Sequence, residues 1–352
     1  MNFASDNAYG VSPEIIEALA AVNAGAAGSY GGDETTARLG EKMSEVFEKD
    51  VAVFPLPSGT GSNALALSTM VPSFGAVLCH EEAHINVDEC GAVELYCGGC
   101  KLIGLAGTGA KLTAEGLKER LAGFVRGDHD PRRSAVSITQ ATELGTVHSV
   151  EEISAIGALC RENDMRLHMD GARFANALVS LGCTPAEMTW KAGVDALSFG
   201  VTKNGGMITD AVVFFDTALA EDFDRRRLQG GHLIAKGRYA SAQVLAYLED
   251  DLWLDNARHA NGLAAKLSAR LSGVEGVRLH TQTQANEVFA VLPPHVHQAL
   301  QDAGAIYHCW PPNPNSGPVP AVPGEVLARL VLSFGTAEAD VDQFIEAAVA
   351  AS

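Results

Sequence analysis

The chain has 352 residues, of which 47% are hydrophobic and 19% charged, so it holds enough apolar material for a sizeable core and too little charge for disorder. Its net charge of −18, with no long basic block, excludes nucleic acid and an anionic membrane surface as natural partners. No apolar run reaches the length of a membrane span, and the first seven residues show neither the basic region nor the apolar core of a signal peptide, so the cytoplasm is the expected compartment.

Residues 1–12 read as a polar arm. Ser12-Pro13-Glu14 then has the form of a helix start, with a cap, a proline at the first position and an acid in the first turn. Thr35 to Phe47 is a second amphipathic helix. Val51 to Pro55 is a short apolar strand, followed by Ser58-Gly59-Thr60-Gly61-Ser62 and an Ala/Leu-rich helix to about Met70. Short strands are expected at Ala76 to Cys79, Lys101 to Leu105, Ala135 to Thr139, Arg166 to Met169, Ala196 to Phe199 and Ala211 to Phe215. Most are separated by helices, among them one opened by Thr113 and one by Ser149-Val-Glu-Glu152, which has capping-box spacing. Such alternation predicts a mostly parallel sheet covered on both faces, with ligands at the carboxyl ends of its strands. Beyond about residue 240 the pattern changes to a long helix (Trp253 to Leu271), short strands near Val277 to Leu279, Glu287 to Leu292 and Leu330 to Phe334, and a closing helix from Glu338. The expectation is a large domain over 13–240 and a small α+β domain over 241–352.

Chemistry concentrates at three strand ends. Asp170, in Arg166-Leu-His-Met-Asp170-Gly-Ala-Arg173, precedes Lys203 by 33 residues, and Lys203 follows its own short strand. A lysine amine that forms a Schiff base with pyridoxal phosphate, and an acid that pairs with the pyridine nitrogen, account for both. The Ser58-Gly59-Thr60 loop enters a helix N-terminus, which suits a phosphate; it lacks the Gly-Lys-Ser/Thr ending of a Walker loop. Hydroxyls of Ser58, Thr60 and Ser62 can add donors. His84 follows a strand and could stack on a pyridine ring or act as a base. His80 and His84 have one residue too many between them for a zinc-protease helix, and no metal is expected. His80 reads as a solvated surface histidine. Arg329 lies in an apolar strand and therefore needs an anion, either an amino-acid carboxylate or an internal Asp or Glu. Arg173 could bind a cofactor oxygen or a substrate carboxylate, or form a surface salt bridge with Asp170 three residues before it. The seven cysteines form no regular framework, and Cys97-Gly-Gly-Cys100 reads as two buried thiols.

Tyr30-Gly-Gly-Asp33, Ser58-Gly59-Thr60, Ala83-His84, His168-Met-Asp170-Gly-Ala-Arg173 and the Lys203 segment together resemble the L-threonine aldolases, from about Phe3 to the C-terminus. These belong to the β-eliminating lyase group of aspartate-aminotransferase-like (fold type I) pyridoxal phosphate enzymes. The resemblance implies that Lys203 carries the cofactor, Asp170 pairs with its ring nitrogen and His84 stacks on its ring. It implies that Ser58, Gly59 and Thr60 hold the phosphate, with Lys236 as a cross-subunit contact. Ser5, Arg173 and Arg329 would surround the substrate carboxylate. It further implies retro-aldol cleavage of L-β-hydroxy-α-amino acids to glycine and an aldehyde, and a homotetramer built from dimers that share active sites. The alternatives on the same cofactor are β-elimination and transamination, and, from another class, a non-catalytic binding protein on this fold. Two departures stand out. Gln140-Ala-Thr-Glu143 occupies the place of the family's Glu-Asn-Thr-His, so Glu143 replaces an imidazole near the substrate hydroxyl. Asn-Gly-Gly follows Lys203 in place of a small, apolar continuation. Both suit a branch resembling the low-specificity and phenylserine aldolases.

Overall fold

The computed structural model describes all 352 residues. A seven-stranded sheet in the order β1-β7-β6-β5-β4-β2-β3 organises the large domain. Its strands are β1 (Ala52–Leu56), β2 (Gly75–His80), β3 (Lys101–Leu105), β4 (Arg132–Thr139), β5 (Arg166–Gly171), β6 (Ala196–Phe199) and β7 (Asp210–Phe214). Neighbours from β3 through β6 pair in parallel, and β7 alone runs against the rest. Every residue of β2, β6 and β7 is buried, the signature of strands covered on both faces. This is why they read in the sequence as continuous apolar runs without alternation.

The helix starts follow local capping chemistry. In α1 (Pro13–Ala21) proline stands at the first turn, but Ser12 gives no side-chain cap; its hydroxyl accepts from Asn256 instead, at 3.1 Å. α2 (Glu34–Val46) starts one residue before the expected Thr35; its cap is Asp33, whose carboxylate accepts from the Thr36 N–H at 2.8 Å. In α3 (Gly59–Met70) Ser58 accepts from the Gly61 N–H. The capping box at Ser149 and Glu152 is complete in both directions.

The small domain is a four-stranded antiparallel sheet in the order β10-β11-β9-β8. Its strands are β8 (Arg278–Leu279), β9 (Glu287–Leu292), β10 (His308–Cys309) and β11 (Val326–Val331). β11 starts four residues before the expected Leu330. Arg329, which interrupts the apolar run, lies within the ladder opposite Phe289, and its charge is met by Glu287. The chain leaves the ladder at Ser333, whose N–H is taken by the Thr336 hydroxyl at 2.9 Å.

The expected division at residue 240 falls inside the helix Arg238–Leu248, whose Val244 and Tyr247 pack in the large core. The next helix, Leu252–Leu271, hands one core to the other: Trp253 and Ala257 lie in the first, Leu263, Leu267 and Leu271 in the second. The N-terminal arm is equally committed. Phe3 is fully buried in the small-domain core, edge-on to Phe344 at 5.2 Å, and its backbone bonds Ile306 and Val331. No helix is long and apolar enough to cross a membrane.

Candidate active site

Parallel register brings Asp170 beside Thr139 on β4 and Ser198 on β6, at the carboxyl end of the sheet. Its Oδ1 accepts from the Ala172 N–H at 3.0 Å, and its Oδ2 from Asn63 Nδ2 of α3 at 2.7 Å. Two residues back on the same face, His168 is bracketed by the hydroxyls of Ser137 (2.9 Å) and Ser198 (3.1 Å). Burial without a carboxylate contact pushes its pKa down to about 4, so it is a neutral strut beneath the acid.

Lys203 lies in a single tight turn, Thr202–Asn204, after β6. The turn is tied down on three sides. Asp210 Oδ1 accepts from the N–H groups of Val201 (2.8 Å) and Thr202 (3.0 Å). Asn204 donates to the Tyr247 hydroxyl and the Trp253 carbonyl, both at 2.8 Å, and accepts from Asn256 through its own carbonyl at 2.9 Å. Gly205 follows at φ +118°, a conformation closed to ordinary L residues. Lys203 then shares a cleft of about 300 Å³ with Ser58, Gly59, Thr60, His84 and Asp210.

The first turn of α3 leaves the N–H groups of Gly59 and Thr60 without an intrahelical partner. Both residues line the cleft. Ser62 is turned away from it: its hydroxyl donates back to the Ser58 carbonyl at 3.1 Å and is fully buried. His232 packs so closely over Gly61 that a Cβ there would lie 2.6 Å from its ring.

His84 forms another wall. Its N–H donates to Glu143 Oε1 at 2.9 Å, and its Nδ1 lies 2.8 Å from Glu89 Oε1. The Glu89 hydrogen bond outweighs burial and holds the imidazole above its ordinary pKa. Glu143 also accepts from the Thr139 hydroxyl at 2.7 Å, yet burial dominates and lifts its carboxyl to about 7. Its Oε2 is buried with no partner. His80 corrects the sequence reading: it is buried, with Nε2 3.0 Å from the Gly107 carbonyl and Nδ1 accepting from the Glu82 N–H. Cys97 and Cys100 are buried free thiols, as expected.

The two arginines are met by acids of the chain itself. Arg173 makes a two-pronged pair with Asp6 (2.7 and 3.0 Å) and reaches Glu287 Oε2 at 3.3 Å. Burial opposes its charge, and the attraction of Asp6 and Glu287 more than restores it. Arg329 places Nε and Nη2 on Glu287 Oε1, at 2.9 and 2.7 Å, with its plane 4.8 Å from the Trp310 ring. Ser5 caps the short turn Asp6–Ala8 by accepting from the Asn7 N–H, and Asn7 lines the cleft. Lys236 is exposed, outside the residues that line the cleft.

The cleft therefore offers an anion cradle at a helix N-terminus, an amine in a rigid turn and an imidazole wall, with Asp170 buried at a strand end outside the residues that line it. Those residue types fit pyridoxal phosphate, which calls for an anion site, a lysine amine and an acid close together. The class of protein so defined is a pyridoxal phosphate-dependent lyase of the aspartate-aminotransferase-like fold.

A family model described as "Beta-eliminating lyase" matches residues 2–292. A low specificity L-threonine aldolase from a Pseudomonas species is 45% identical over 340 residues, covering 96% of this chain and 94% of the relative. A second, from Pseudomonas aeruginosa, is 44% identical over 303 residues, covering 86% of this chain and 87% of the relative. The solved threonine aldolase of Leishmania major superposes with a TM-score of 0.90 at 28% identity, over 98% of this chain and 97% of that one. The chain belongs to the β-eliminating lyase family, among its low-specificity L-threonine aldolases.

Reasoning on the sequence missed Asn63, Glu89, Asp6, Glu287 and Asp210. Two carried a signal. Asn63 is a polar residue inside an Ala/Leu-rich helix one turn past the anion loop, and Glu287 opens the apolar run Glu-Val-Phe-Ala-Val-Leu292. Glu89, Asp6 and Asp210 carried none that spacing alone reveals.

Proposed function

We propose that this protein cleaves L-threonine, L-allo-threonine and other L-β-hydroxy-α-amino acids, phenylserine included, to glycine and an aldehyde. The observation that carries the reading is Glu143: a carboxyl that titrates near pH 7, joined to the backbone of His84 in the cleft wall, with one oxygen unengaged. An acid poised at that pH can take the β-hydroxyl proton and return it. When bound, pyridoxal phosphate supplies the electron sink that receives the pair left at Cα when the Cα–Cβ bond breaks.

The chain's residues do the rest. Ser58, Gly59 and Thr60 hold the phosphate, and Lys203 is the covalent attachment point. Asp170, fixed by Asn63 and the Ala172 N–H, keeps a negative charge at the ring nitrogen. His84 covers the ring. Glu143 takes the hydroxyl proton as the β-carbon becomes a carbonyl; the Cα–Cβ pair passes to Cα, which is then protonated to give glycine. Arg329 keeps Nη1 for the substrate carboxylate, since Glu287 occupies only Nε and Nη2. Arg173 and Ser5 order the same corner; Arg173 reaches a carboxylate by exchanging Asp6. Exposed Tyr30, Val87, Met207 and Ile208 support a homotetramer of dimers, in which Lys236 of one subunit meets the phosphate of another. The cytoplasm is the proposed compartment.

The test is one cuvette. Purified protein should show the visible band of a lysine-bound cofactor and release aldehyde and glycine from L-threonine, L-allo-threonine and L-threo-phenylserine. Lys203→Ala should lose the band and essentially all turnover. Keto acid and ammonia as the products would move the reaction to β-elimination, and a new amino acid would move it to transamination.

A further inference from the structure

We propose that Glu89 is a positioning residue that fixes the ring orientation and tautomer of His84, with Asn63 coupling this pair to Asp170. The proposal rests on the cofactor reading above, because it concerns the wall against which the ring would lie.

The hydrogen-bond geometry is explicit. Glu89 has a fully buried side chain on the short segment between His84 and the helix Ala92–Tyr96. Its Oε1 lies 2.8 Å from His84 Nδ1 and 2.8 Å from Asn63 Nδ2. An oxygen approached by two nitrogens, one of which is an amide NH₂, accepts from both. Nδ1 therefore carries the hydrogen, and Nε2 is left as the open nitrogen of a half-exposed ring beside the cleft. A buried carboxylate behind an imidazole sets which nitrogen is protonated and how the ring stands.

Asn63 spends its two hydrogens on two acids, Glu89 Oε1 at 2.8 Å and Asp170 Oδ2 at 2.7 Å. One amide thus holds the group behind the ring wall and the acid meant for the ring nitrogen in a single frame. The charges facing His84 are Glu89 from its own segment, Asp170 from β5 and Lys203 from the turn after β6, with Glu143 on its backbone N–H. Glu89 hydrogen bonding is the strongest influence and raises the imidazole pKa; Asp170 acts in the same direction and Lys203 against it. The Glu89 residue stands five positions after His84, so no helical periodicity in the sequence pairs them.

The test uses full-length protein labelled with ¹⁵N-histidine, without and with cofactor. His84 is identified by the signal lost in His84→Asn. In wild type the cofactor-free protein should show the Nδ1–H tautomer and a titration above the ordinary histidine value. Glu89→Gln should lower that titration, because the Glu89 hydrogen bond is what raises it, and weaken cofactor binding about 10- to 100-fold. Glu89→Asp should restore part of both. In a His84→Asn background, Glu89→Gln should cost little further binding. An Nε2–H tautomer in wild type would overturn the proposal without any variant. So would an unchanged titration in folded Glu89→Gln, or an equal loss of binding in the His84→Asn background. These readouts do not depend on aldehyde release, so a protein that makes no aldehyde would sink the proposed function while leaving this assignment to stand or fall separately.

Discussion

Glu143 shows how one buried side chain ties chemistry to stability. Burial lifts its carboxyl from 4.5 to about 7, against hydrogen bonds from Thr139 and the His84 backbone that pull the other way. A raised carboxyl binds its proton more tightly folded than unfolded. The associated stabilisation is complete below about pH 4.5, the unfolded value, and disappears as pH rises through about 7. Activity has the opposite sense, because a base must be ionised. In the pH profile of kcat/KM, the wild type should rise through about pH 7. Glu143→Gln should flatten that limb and lower kcat about 10²- to 10⁴-fold, the usual size of a general-base contribution. An unchanged limb in the variant would assign the proton to another group. Of the site side chains, Lys203, Asp170 and the Ser58 loop were legible because each sits at the end of a short apolar strand. Glu143 was visible only as a departure at one position of a family pattern.

At the scale of an element, the turn after β6 decides where the Lys203 amine points. Asp210, Tyr247, Trp253 and Asn256 come from three later segments, yet all bond residues 201–204. Gly205 closes the turn at φ +118°, and a Cβ there would stand 2.3 Å from Ser12 Oγ and 2.7 Å from Asn256 Nδ2. Gly205→Ala should therefore both strain the backbone and dislodge Asn256, costing about 1–3 kcal/mol. Urea midpoints should fall, and the cofactor band should shift or weaken beyond what the stability loss alone produces. β11 teaches the complementary lesson. An apolar run broken by Arg329 looks like a strand that starts late. The strand begins earlier because Glu287 on the neighbouring strand neutralises the arginine.

Across the whole molecule, the first six residues, the large domain and the small domain meet at one ionic cluster. Phe3 anchors the arm in the small-domain core, which carries Asp6 to Arg173, while Glu287 joins Arg173 to Arg329. A second whole-molecule property follows from neutral histidine burial. His168, with a pKa of about 4, binds its proton more weakly folded than unfolded. Its contribution is present above about pH 6.5 and is lost as pH falls toward about 4, on the order of 3 kcal/mol by the end of that window. Because Glu143 gains stability over the same interval, the test is a comparison between proteins: the change in urea midpoint from pH 7 to pH 5 should be more unfavourable in wild type than in His168→Gln, whatever the variant's stability at pH 7.

The order of helices and strands was determined locally, by apolar runs, Gly59 to Gly61 and caps such as Ser149, because each depends on residues within one or two turns. From that order alone come the parallel sheet and the strand ends that carry Asp170 and Lys203. Partnerships were not local. Asp6 with Arg173, Asn63 with Glu89 and Asp170, and Asp210 with the Lys203 turn span 167, 26, 107 and 9 residues or fewer. Whether Arg329 met a ligand or an internal acid was open in the sequence, since either satisfies a buried guanidinium. Only the pairing of β11 with β9 put Glu287 against it, because a buried charge takes whichever counter-charge the fold brings within reach.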